Sequence, residues 1–446
     1  MFEGSDAILF LDDVQIAQTA RLARVYEQPR RFGPVLVPDC PWEGRCVIVY
    51  GSVLPRPDGS GYQMWYQSFS THVRGPERAV FCYATSEDGI HWEKPSLGLC
   101  EYHGSRDNNI ILVAEKHWLS TLTVVIDPGD SEERRYKMLF SANEDGPGLY
   151  AAFSPDGVHW AVRRQRVCTT ASDRTTMLFD PERETPYVAF TRKHGPIMHR
   201  EFGGRVVYRL ESRDMLNWTE PEPVLVPDLS DSWDVQFYGM PAWRYRDFYM
   251  GGLKRLWTTP DRIDTELVTS RDTTTWRRSC ATFLPNGEGD AWDSAWVALA
   301  SSPPIERDGQ LRFYHEGRRQ AHGQKSPFPQ GAIGLAVLPK DRFCALEAGP
   351  AEGYVTTAPF TWTGGRLSLD ARLHNVGSIR VELLDGGGTV IPGFACDDAE
   401  AFQGDSPAWE VKWKGGVSLD TLKGRTISLR IYLVNARLYA VRRQAE

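Results

Sequence analysis

Residues able to carry acid–base chemistry are concentrated in the stretch SEDGIHWEKP at 86–95 of this 446-residue chain. The stretch holds three acidic residues, a histidine and a tryptophan. Carboxylates and histidine can exchange protons with a ligand, and the face of a tryptophan can stack on a sugar ring. The first question is whether the stretch is a reaction site or only a turn.

The stretch recurs along the chain, which favours a structural role. SEDGIHW is followed by three similar segments and one degenerate copy, namely SPDGVHW, SRDMLNW, SRDTTTW and LPKDRF. Their aspartates are separated by 68, 58, 58 and 69 residues and are Asp88, Asp156, Asp214, Asp272 and Asp341. A feature present in every repeat is expected to build the repeat: the aspartate caps a turn and the tryptophan covers an edge.

The segments between these aspartates predict the fold. Each copy follows an alternating or apolar run, and two further strand-like runs joined by a tight turn precede it. Five such units predict an all-β fold, a five-bladed β-propeller over residues 1–344. A long sandwich or a β-solenoid is the alternative. Residues 345–446 break the period and predict a separate C-terminal β-sandwich.

Composition narrows the class of partner. A net charge of −7 argues against a nucleic-acid or anionic-membrane surface. We recognise no signal peptide, transmembrane segment or paired-cysteine motif, so we expect a cytoplasmic protein with reduced thiols. We expect neither a metal nor another cofactor, because the cysteines and histidines lack ligand spacing. The expected partner is a small-molecule or oligosaccharide substrate, and the oligomeric state is not indicated.

Propeller geometry divides the loops between two faces. The repeated Asp turns share one face, and the loops that enter the blades or join their second and third strands share the other. That second face carries the non-repeating polar residues. The candidate substrate-binding residues there are Asp39, Trp42, His117, Trp118, Arg174, Arg192, His194, Gln236, Tyr238, Trp296, His315 and Glu316.

The chain resembles the five-bladed propeller glycoside hydrolases of families 32 and 43. It is most similar to uncharacterised bacterial proteins with a family-32-like N-terminal domain. The resemblance covers nearly the whole chain and is carried by the segments FLDD, PVLVPDCPWE, DGIHWEKPSLGLCEYHGSRDNNI, DPGDSEERRYK and LRIYLVNARLYA. It implies a propeller with a C-terminal sandwich and activity on glycosides.

The resemblance transfers positions for the catalytic carboxylates, at the starts of the inner strands. The WMNDPNG, RDP and EC segments of family 32 are absent, and the Asp-Pro pairs at 127 and 180 end an inner strand instead. We therefore expect Glu43 to be the base or nucleophile, Asp173 to orient or tune it, and Asp234 or Asp293 to be the acid.

Two further classes of function share these residues. One is a carbohydrate-binding propeller without catalysis, and the other is a propeller that performs lyase or cyclase chemistry on a small molecule. The basic loops around Arg192 and His315 indicate either an anionic sugar or a solvated rim.

Overall fold

The computed structural model describes residues 6–69, 79–114, 118–171, 173–197, 200–323 and 331–444. Within these residues the chain is built from β-strands and has no α-helix. Its short 3-10 helices are Pro41–Glu43, Glu132–Arg134 and Leu419–Leu422. None of the described helices has the length and apolar character needed to cross a membrane.

The contacts divide the chain into two compact units. One contains the described residues up to Gln28 together with those from Leu338 onward, and the other is Pro29–Val337. The N-terminal part of the first unit contains three strands, β1 (Ala7–Leu9), β2 (Ile16–Ala20) and β3 (Ala23–Tyr26).

The second unit consists of successive antiparallel groups of strands. In the first half of this unit the strands are β4 (Arg30–Leu36), β5 (Cys46–Pro55), β6 (Tyr62–Phe69), β7 (Ala79–Ser86), β8 (Ile110–Val113), β9 (Leu119–Ile126), β10 (Tyr136–Asn143), β11 (Pro147–Ser154) and β12 (Ala161–Val162). The order is β5-β6-β7-β8 in one group and β12-β11-β10-β9 in the next. The runs are rich in valine, isoleucine and aromatic residues, which favour strands.

The remaining strands of this unit continue the pattern. They are β13 (Thr176–Phe179), β14 (Tyr187–Ile197), β15 (Arg200–Ser212), β16 (Glu222–Leu225), β17 (Val235–Gly239), β18 (Ala242–Tyr245), β19 (Phe248–Trp257), β20 (Arg262–Ser270), β21 (Trp276–Leu284), β22 (Trp296–Leu299), β23 (Ile305–Arg307), β24 (Gln310–Arg318) and β25 (Gly331–Pro339). Strands β13 to β16 pair in order, β19 and β20 lie between β17 or β18 and β21, and β24 lies between β22 or β23 and β25. Strand β4 pairs with β25 and so joins the last group.

Four of the repeated aspartates cap turns, as the sequence predicts, and we call these four the Asp-capped turns (Asp88, Asp156, Asp214 and Asp272). In the first, Asp88 Oδ1 accepts hydrogen bonds from the backbone N–H groups of Ile90 and His91 at 2.8 and 2.9 Å. Corresponding bonds are made at the other three turns. The degenerate fifth copy differs, because Asp341 accepts from Arg442 at 2.9 Å instead.

The first unit is completed by strands β26 (Cys344–Ala348), β27 (Gly353–Thr357), β28 (Phe360–Thr361), β29 (Arg366–Asp385), β30 (Asp405–Glu410) and β31 (Thr426–Gln444). Strand β31 pairs with β1 in antiparallel register, Ala7 opposite Arg442. Strands β2 and β3 pair with β27 and β26. The N-terminal strands thus belong with the C-terminal segment, whereas the sequence-based division assigned all of 1–344 to the propeller.

Candidate active site

A central aromatic cluster brings together three of the antiparallel groups. Tyr50 of β5, Tyr238 of β17 and Trp296 of β22 are buried in one hydrophobic cluster. The Trp296 ring lies 6.4 Å from that of Tyr50 and 5.3 Å from that of Tyr238. Cys46 and Ile48 share this cluster with Tyr50, because alternate residues of a strand face the same side.

Five cationic side chains surround these rings, and we call them the cationic cluster (Arg174, Arg192, Arg205, Lys254 and Arg318). The Arg174 guanidinium lies 3.9 Å from the centre of the Tyr50 ring, and Lys254 Nζ lies 4.8 Å from it. Arg318 is 4.3 Å from the Trp296 ring. Cations over aromatic faces are stabilised by the ring quadrupole.

Two carboxylates pair with members of the cationic cluster. Arg192 donates to Asp173 Oδ1 at 2.6 Å. The buried Glu316 accepts from Trp296 Nε1 at 2.6 Å and from Arg318 at 3.0 Å. Among the residues that the structure describes here, five cations are thus matched by only these two carboxylates.

Burial and the excess of positive charge together lower the pKa values of two members of the cluster. Burial, together with the nearby Arg174 and Arg318, lowers the pKa of Lys254 to about 8, although Glu316 acts in the opposite direction. Burial and the neighbouring Arg192 lower the pKa of Arg205 as well. Lys254 is therefore charged at neutral pH but close to losing its proton.

Tyr238 lies where the cations and a histidine meet. Its hydroxyl is 2.9 Å from His322 Nε2. Burial acts to raise the pKa of Tyr238, but Arg174 and Arg192 overcome that effect and the pKa lies below its ordinary value. Burial, reinforced by the cluster, lowers the pKa of His322 to about 4, so its imidazole is neutral at pH 7. The Tyr238–His322 pair can thus hold or relay a proton.

A cavity of about 570 Å³ opens beside this arrangement. Its lining includes Phe69, Trp118, Asp173, Arg174 and Arg192. Aromatic side chains next to a carboxylate and two guanidinium groups are typical of a site for a polar ring-shaped ligand.

A strained residue holds one wall of the cavity. Thr121, with φ of 47°, is in the left-handed region that β-branched residues avoid. Its N–H donates to Gln67 at 3.1 Å, and its hydroxyl donates to the backbone carbonyl of Asp173. Strain of this kind persists where the surrounding structure fixes it, and here it fixes the backbone of Asp173.

Seven of the predicted site residues are brought together around this centre. They are Asp173, Arg174, Arg192, Gln236, Tyr238, Trp296 and Glu316. Gln236 accepts from Arg205 at 2.8 Å and so holds a member of the cationic cluster.

Glu43 does not fit its predicted role as base or nucleophile. It is fully buried, and it accepts from Tyr66 at 2.6 Å and Lys94 at 2.7 Å. Its carboxylate also accepts from the backbone N–H groups of Asp39 and Cys40 at 3.0 and 3.1 Å. A carboxylate with both oxygens satisfied inside the protein has no free face for a substrate.

The other predicted residues of the same loop also have structural partners. The exposed Asp39 accepts from Lys94 at 2.5 Å. Trp42 donates from Nε1 to Asn109 at 2.8 Å. Asp39, Cys40 and Glu43 are close enough together to hold a cation, but the Lys94 ammonium already lies among their carboxylates.

Asp234 and Asp293, the two predicted acids, are buried, and their hydrogen-bond and ion-pair partners described below are not members of the cationic cluster. Asp234 accepts from Ser232 at 2.7 Å and from the backbone of Thr259 at 3.1 Å. Burial acts to raise the pKa of Asp234, but these hydrogen bonds lower it, so it is ionised and not a proton donor at neutral pH. Burial raises the pKa of Asp293, which pairs with Arg31 at 2.7 Å.

The remaining predicted residues divide between surface, cavity and core. His194 is exposed on β14, opposite Arg205 of β15. Trp118 lines the cavity. His315 is fully buried against Trp292, and burial lowers its pKa to about 4. His117 lies outside the described residues.

The aspartates of the two Asp-Pro pairs are structural, in agreement with the loop argument. Asp127 accepts from the Tyr187 hydroxyl and from the N–H of Gly129. Asp180 accepts from Arg244 at 3.0 Å and from the Tyr249 hydroxyl at 2.5 Å.

The sequence places Lys254, Arg318 and His322 in loops of the non-repeating face without giving them a role, and sequence reasoning missed Tyr50 and Arg205. The signal for Tyr50 was available, because it shares the inward side of β5 with Cys46 and Ile48 by simple alternation. Arg205 lies in a long strand whose partners are distant in sequence, so no local pattern indicates it.

Comparisons with known proteins place the fold. No protein-family model matches the chain. The solved structure of a BT0996 RGII complex is similar with a TM-score of 0.53 and 14% identity, covering 71% of this chain and 93% of the solved one. A glycoside hydrolase structure is similar with a TM-score of 0.53 and 13% identity, covering 70% and 92%. The predicted resemblance to propeller glycoside hydrolases is thereby confirmed at the level of fold.

A partial sequence relative adds no function. The uncharacterized protein MT1551 of Mycobacterium tuberculosis (strain CDC 1551 / Oshkosh) is 34% identical over 105 residues, 23% of this chain. The chain covers 30% of that protein's length.

Proposed function

We propose that this protein is a carbohydrate-active enzyme built on a five-bladed β-propeller with a C-terminal β-sandwich. The strand groups β5–β8, β9–β12, β13–β16, β17–β21 and β22–β25 would be the blades. Contacts of β5 with both β9 and β24 support a ring in which the first group adjoins the second and the last. The sandwich would comprise β26–β31 with the N-terminal strands that pair with them.

The observation that carries the functional proposal is the position of Asp173. Its carboxylate borders the 570 Å³ cavity beside Trp118 and pairs with Arg192 at 2.6 Å. The cavity volume suits a small glycoside or a short oligosaccharide. Trp118 would stack on a sugar ring while Arg174 and Arg192 bind its polar substituents.

Cleavage of a glycosidic bond requires a base or nucleophile and a proton donor. Asp173 takes the first role in this proposal. The proton for the leaving oxygen would come from Tyr238, whose ring lies 5.4 and 4.7 Å from Arg174 and Arg192 of the cavity lining and whose pKa is lowered. Such a group exchanges protons more readily near neutral pH than an ordinary tyrosine.

A glycoside panel with detection of released reducing sugar tests the proposal. For the substrate found, we expect Asp173→Asn to lower kcat about 10²–10⁴-fold, the usual range for one acid–base group. Asp107→Asn is the matched control, because Asp107 is exposed and is not part of the cavity lining. Equal activity of Asp173→Asn and wild type would refute the role of Asp173.

A specific observation favours a second candidate, a carbohydrate-binding propeller without turnover. Among the described residues that line the cavity, Asp173 is the one carboxylate, whereas most glycoside hydrolases use two. Affinity for a sugar that survives Asp173→Asn, with no product released by wild type, would identify a binding protein.

A further inference from the structure

The cationic cluster holds more positive charge than its surroundings neutralise. Arg174, Arg192 and Arg205 lie 5.4, 4.7 and 5.4 Å from the centre of the Tyr238 ring. Asp173 pairs with Arg192 and, at 3.9 Å, with Arg174. Among the described residues, one carboxylate thus faces three guanidinium groups on this side.

The same imbalance continues on the other side of Arg174. The Tyr50 ring is contacted by Arg174, by Lys254 and, at 5.6 Å, by Arg318. Glu316 neutralises Arg318 through a 3.0 Å ion pair. Lys254 Nζ lies over the Tyr50 ring, and Glu316, the carboxylate that acts on it, is already paired with Arg318.

These cations are not on an open surface. Lys254 is 3% exposed, and the side chain of Arg174 is 12% exposed. Gathering unneutralised cations in a buried place is unfavourable, because each loses hydration and repels the next. An anion that entered the cluster would remove that cost.

Several buried polar atoms of the cluster also lack partners. The hydroxyl of Tyr50 and the Nε atoms of Arg174, Arg205 and Arg318 have no hydrogen bond within the described part of the chain. Most buried polar groups in proteins are hydrogen-bonded, so unsatisfied donors converging on one place indicate a ligand that completes them.

The cluster is reachable from the cavity and matches one kind of chemistry. Arg174 and Arg192 form part of the 570 Å³ cavity lining. Planar guanidinium groups bind the paired oxygens of carboxylate, sulfate and phosphate groups, and a lysine adds a compact charge.

We propose that the substrate is an anionic glycoside whose carboxylate, sulfate or phosphate group binds to Arg174 and Arg192, with Arg205 and Lys254 supplying further positive charge. The glycoside part of this inference rests on the proposed function. The oxyanion site itself depends only on the cationic cluster.

Titration calorimetry with defined probes tests the oxyanion site. It also shows whether the bound oxyanion belongs to a sugar or is a free inorganic ion. The probes are inorganic phosphate, inorganic sulfate, glucuronic acid and, as the uncharged comparison, glucose. We expect at least one oxyanion probe to bind at least about tenfold more tightly than glucose, and its affinity to fall with added NaCl. Binding of glucuronic acid above both inorganic ions would indicate a sugar-borne acid, and the reverse order would indicate free phosphate or sulfate.

Two substitutions remove single cations from the cluster. We expect Arg192→Gln and Lys254→Met each to weaken binding of the preferred oxyanion about tenfold or more, because each removes a charge-assisted contact. Arg164→Gln removes an exposed arginine outside the cavity lining and should leave affinity unchanged. Thermal melting of each variant verifies that it folds, so either variant suffices if the other does not.

The outcomes separate this inference from the proposed function. Equal affinity for glucose and for every oxyanion probe would overturn the oxyanion site even if neutral glycosides were cleaved. Oxyanion binding that depends on Arg192 and Lys254 would support the site even if the glycoside panel released no sugar. Affinity that Arg164→Gln reduces as much as Arg192→Gln would also overturn the site, because binding would then reflect general surface charge.

Discussion

The Asp-capped turns and the cationic cluster handle charge in opposite ways. At the first turn, Asp88 is satisfied by two backbone N–H groups, the Ser86 hydroxyl and the His91 ring, all within 3.1 Å. In and around the cationic cluster, by contrast, buried atoms such as the Tyr50 hydroxyl and Arg205 Nε lack hydrogen-bond partners within the described part of the chain. Charged and polar side chains thus stabilise a turn in one region and remain available to bind a ligand in the other.

The difference shows which property of a polar residue indicates function. SEDGIHWEKP is rich in reactive side chains, but the Asp88 carboxylate is satisfied by groups of its own turn. The cluster is less conspicuous in the sequence, yet its hydrogen bonding and charge balance are incomplete. Incomplete satisfaction of buried polar groups is therefore the better guide to the site here.

The largest expected effect is at Glu43, a buried carboxylate whose two oxygens both accept hydrogen bonds. Glu43→Leu leaves the Lys94 ammonium, whose side chain is 10% exposed, without its buried partner. We expect the free energy of unfolding in urea to fall by about 3–5 kcal/mol, the usual cost of breaking a buried pair.

A double variant provides the control for this test. Glu43→Leu with Lys94→Leu removes both charges and should recover most of the lost stability. A single variant within about 1 kcal/mol of wild type would mean that Glu43 is not structural, and would return it to the list of catalytic candidates.

The next test concerns Lys254, a buried member of the cationic cluster. Lys254→Met removes a buried charge that lies among like charges, so we expect the protein to become about 1–4 kcal/mol more stable at pH 7. We expect ligand binding to weaken at the same time, the reverse of what a structural residue would show. A stability loss with unchanged binding would place Lys254 with the structural residues.

The pH dependence of the same variant gives an independent measurement. The pKa of Lys254 is about 8 in the folded protein, below its ordinary value of 10.5. Between these values the unfolded chain holds a proton that the folded protein has lost, so folding stability contributed by this group rises with pH. Oxyanion affinity should fall over the same window as Lys254 loses its charge, and both effects should be absent in Lys254→Met.

The smallest expected effect is at an Asp-capped turn. Asp88→Ala removes hydrogen bonds to two backbone N–H groups at a partly exposed site, and we expect a loss of about 1–2 kcal/mol of stability in urea. Activity per folded molecule should stay within a factor of about two of wild type. Asp107→Ala, at an exposed position, should change neither quantity, and a large loss of activity in Asp88→Ala alone would give the turn a functional role.

The sequence allowed the strands, the turns and part of the site to be predicted, because these depend on local patterns. The spacing of the repeated aspartates and the alternation within each run locate the turns and the strands. Asp173, Arg174 and Tyr238 were identified because they flank the inner strands on the non-repeating side.

The rest depends on partners that are distant in sequence. Lys94 follows the first Asp-capped turn, yet it neutralises Glu43 51 residues earlier. Arg205 and Lys254 enter the cluster from the middle of long strands, where an arginine or lysine ordinarily indicates a solvated face. No local pattern distinguishes a carboxylate that is matched by a distant cation from one that is not.

The pairing of β1 with β31 has a consequence for synthesis on the ribosome. Ala7 pairs with Arg442, so the first strand waits until residue 442 has been made. At roughly 5–20 residues per second this delay is about 20–90 seconds. Residues 29–337 form a contiguous segment that can fold during this interval, whereas β1, β2 and β3 remain without their sheet partners and exposed to competing strands. The first unit therefore cannot complete its sheet until β31 has been made.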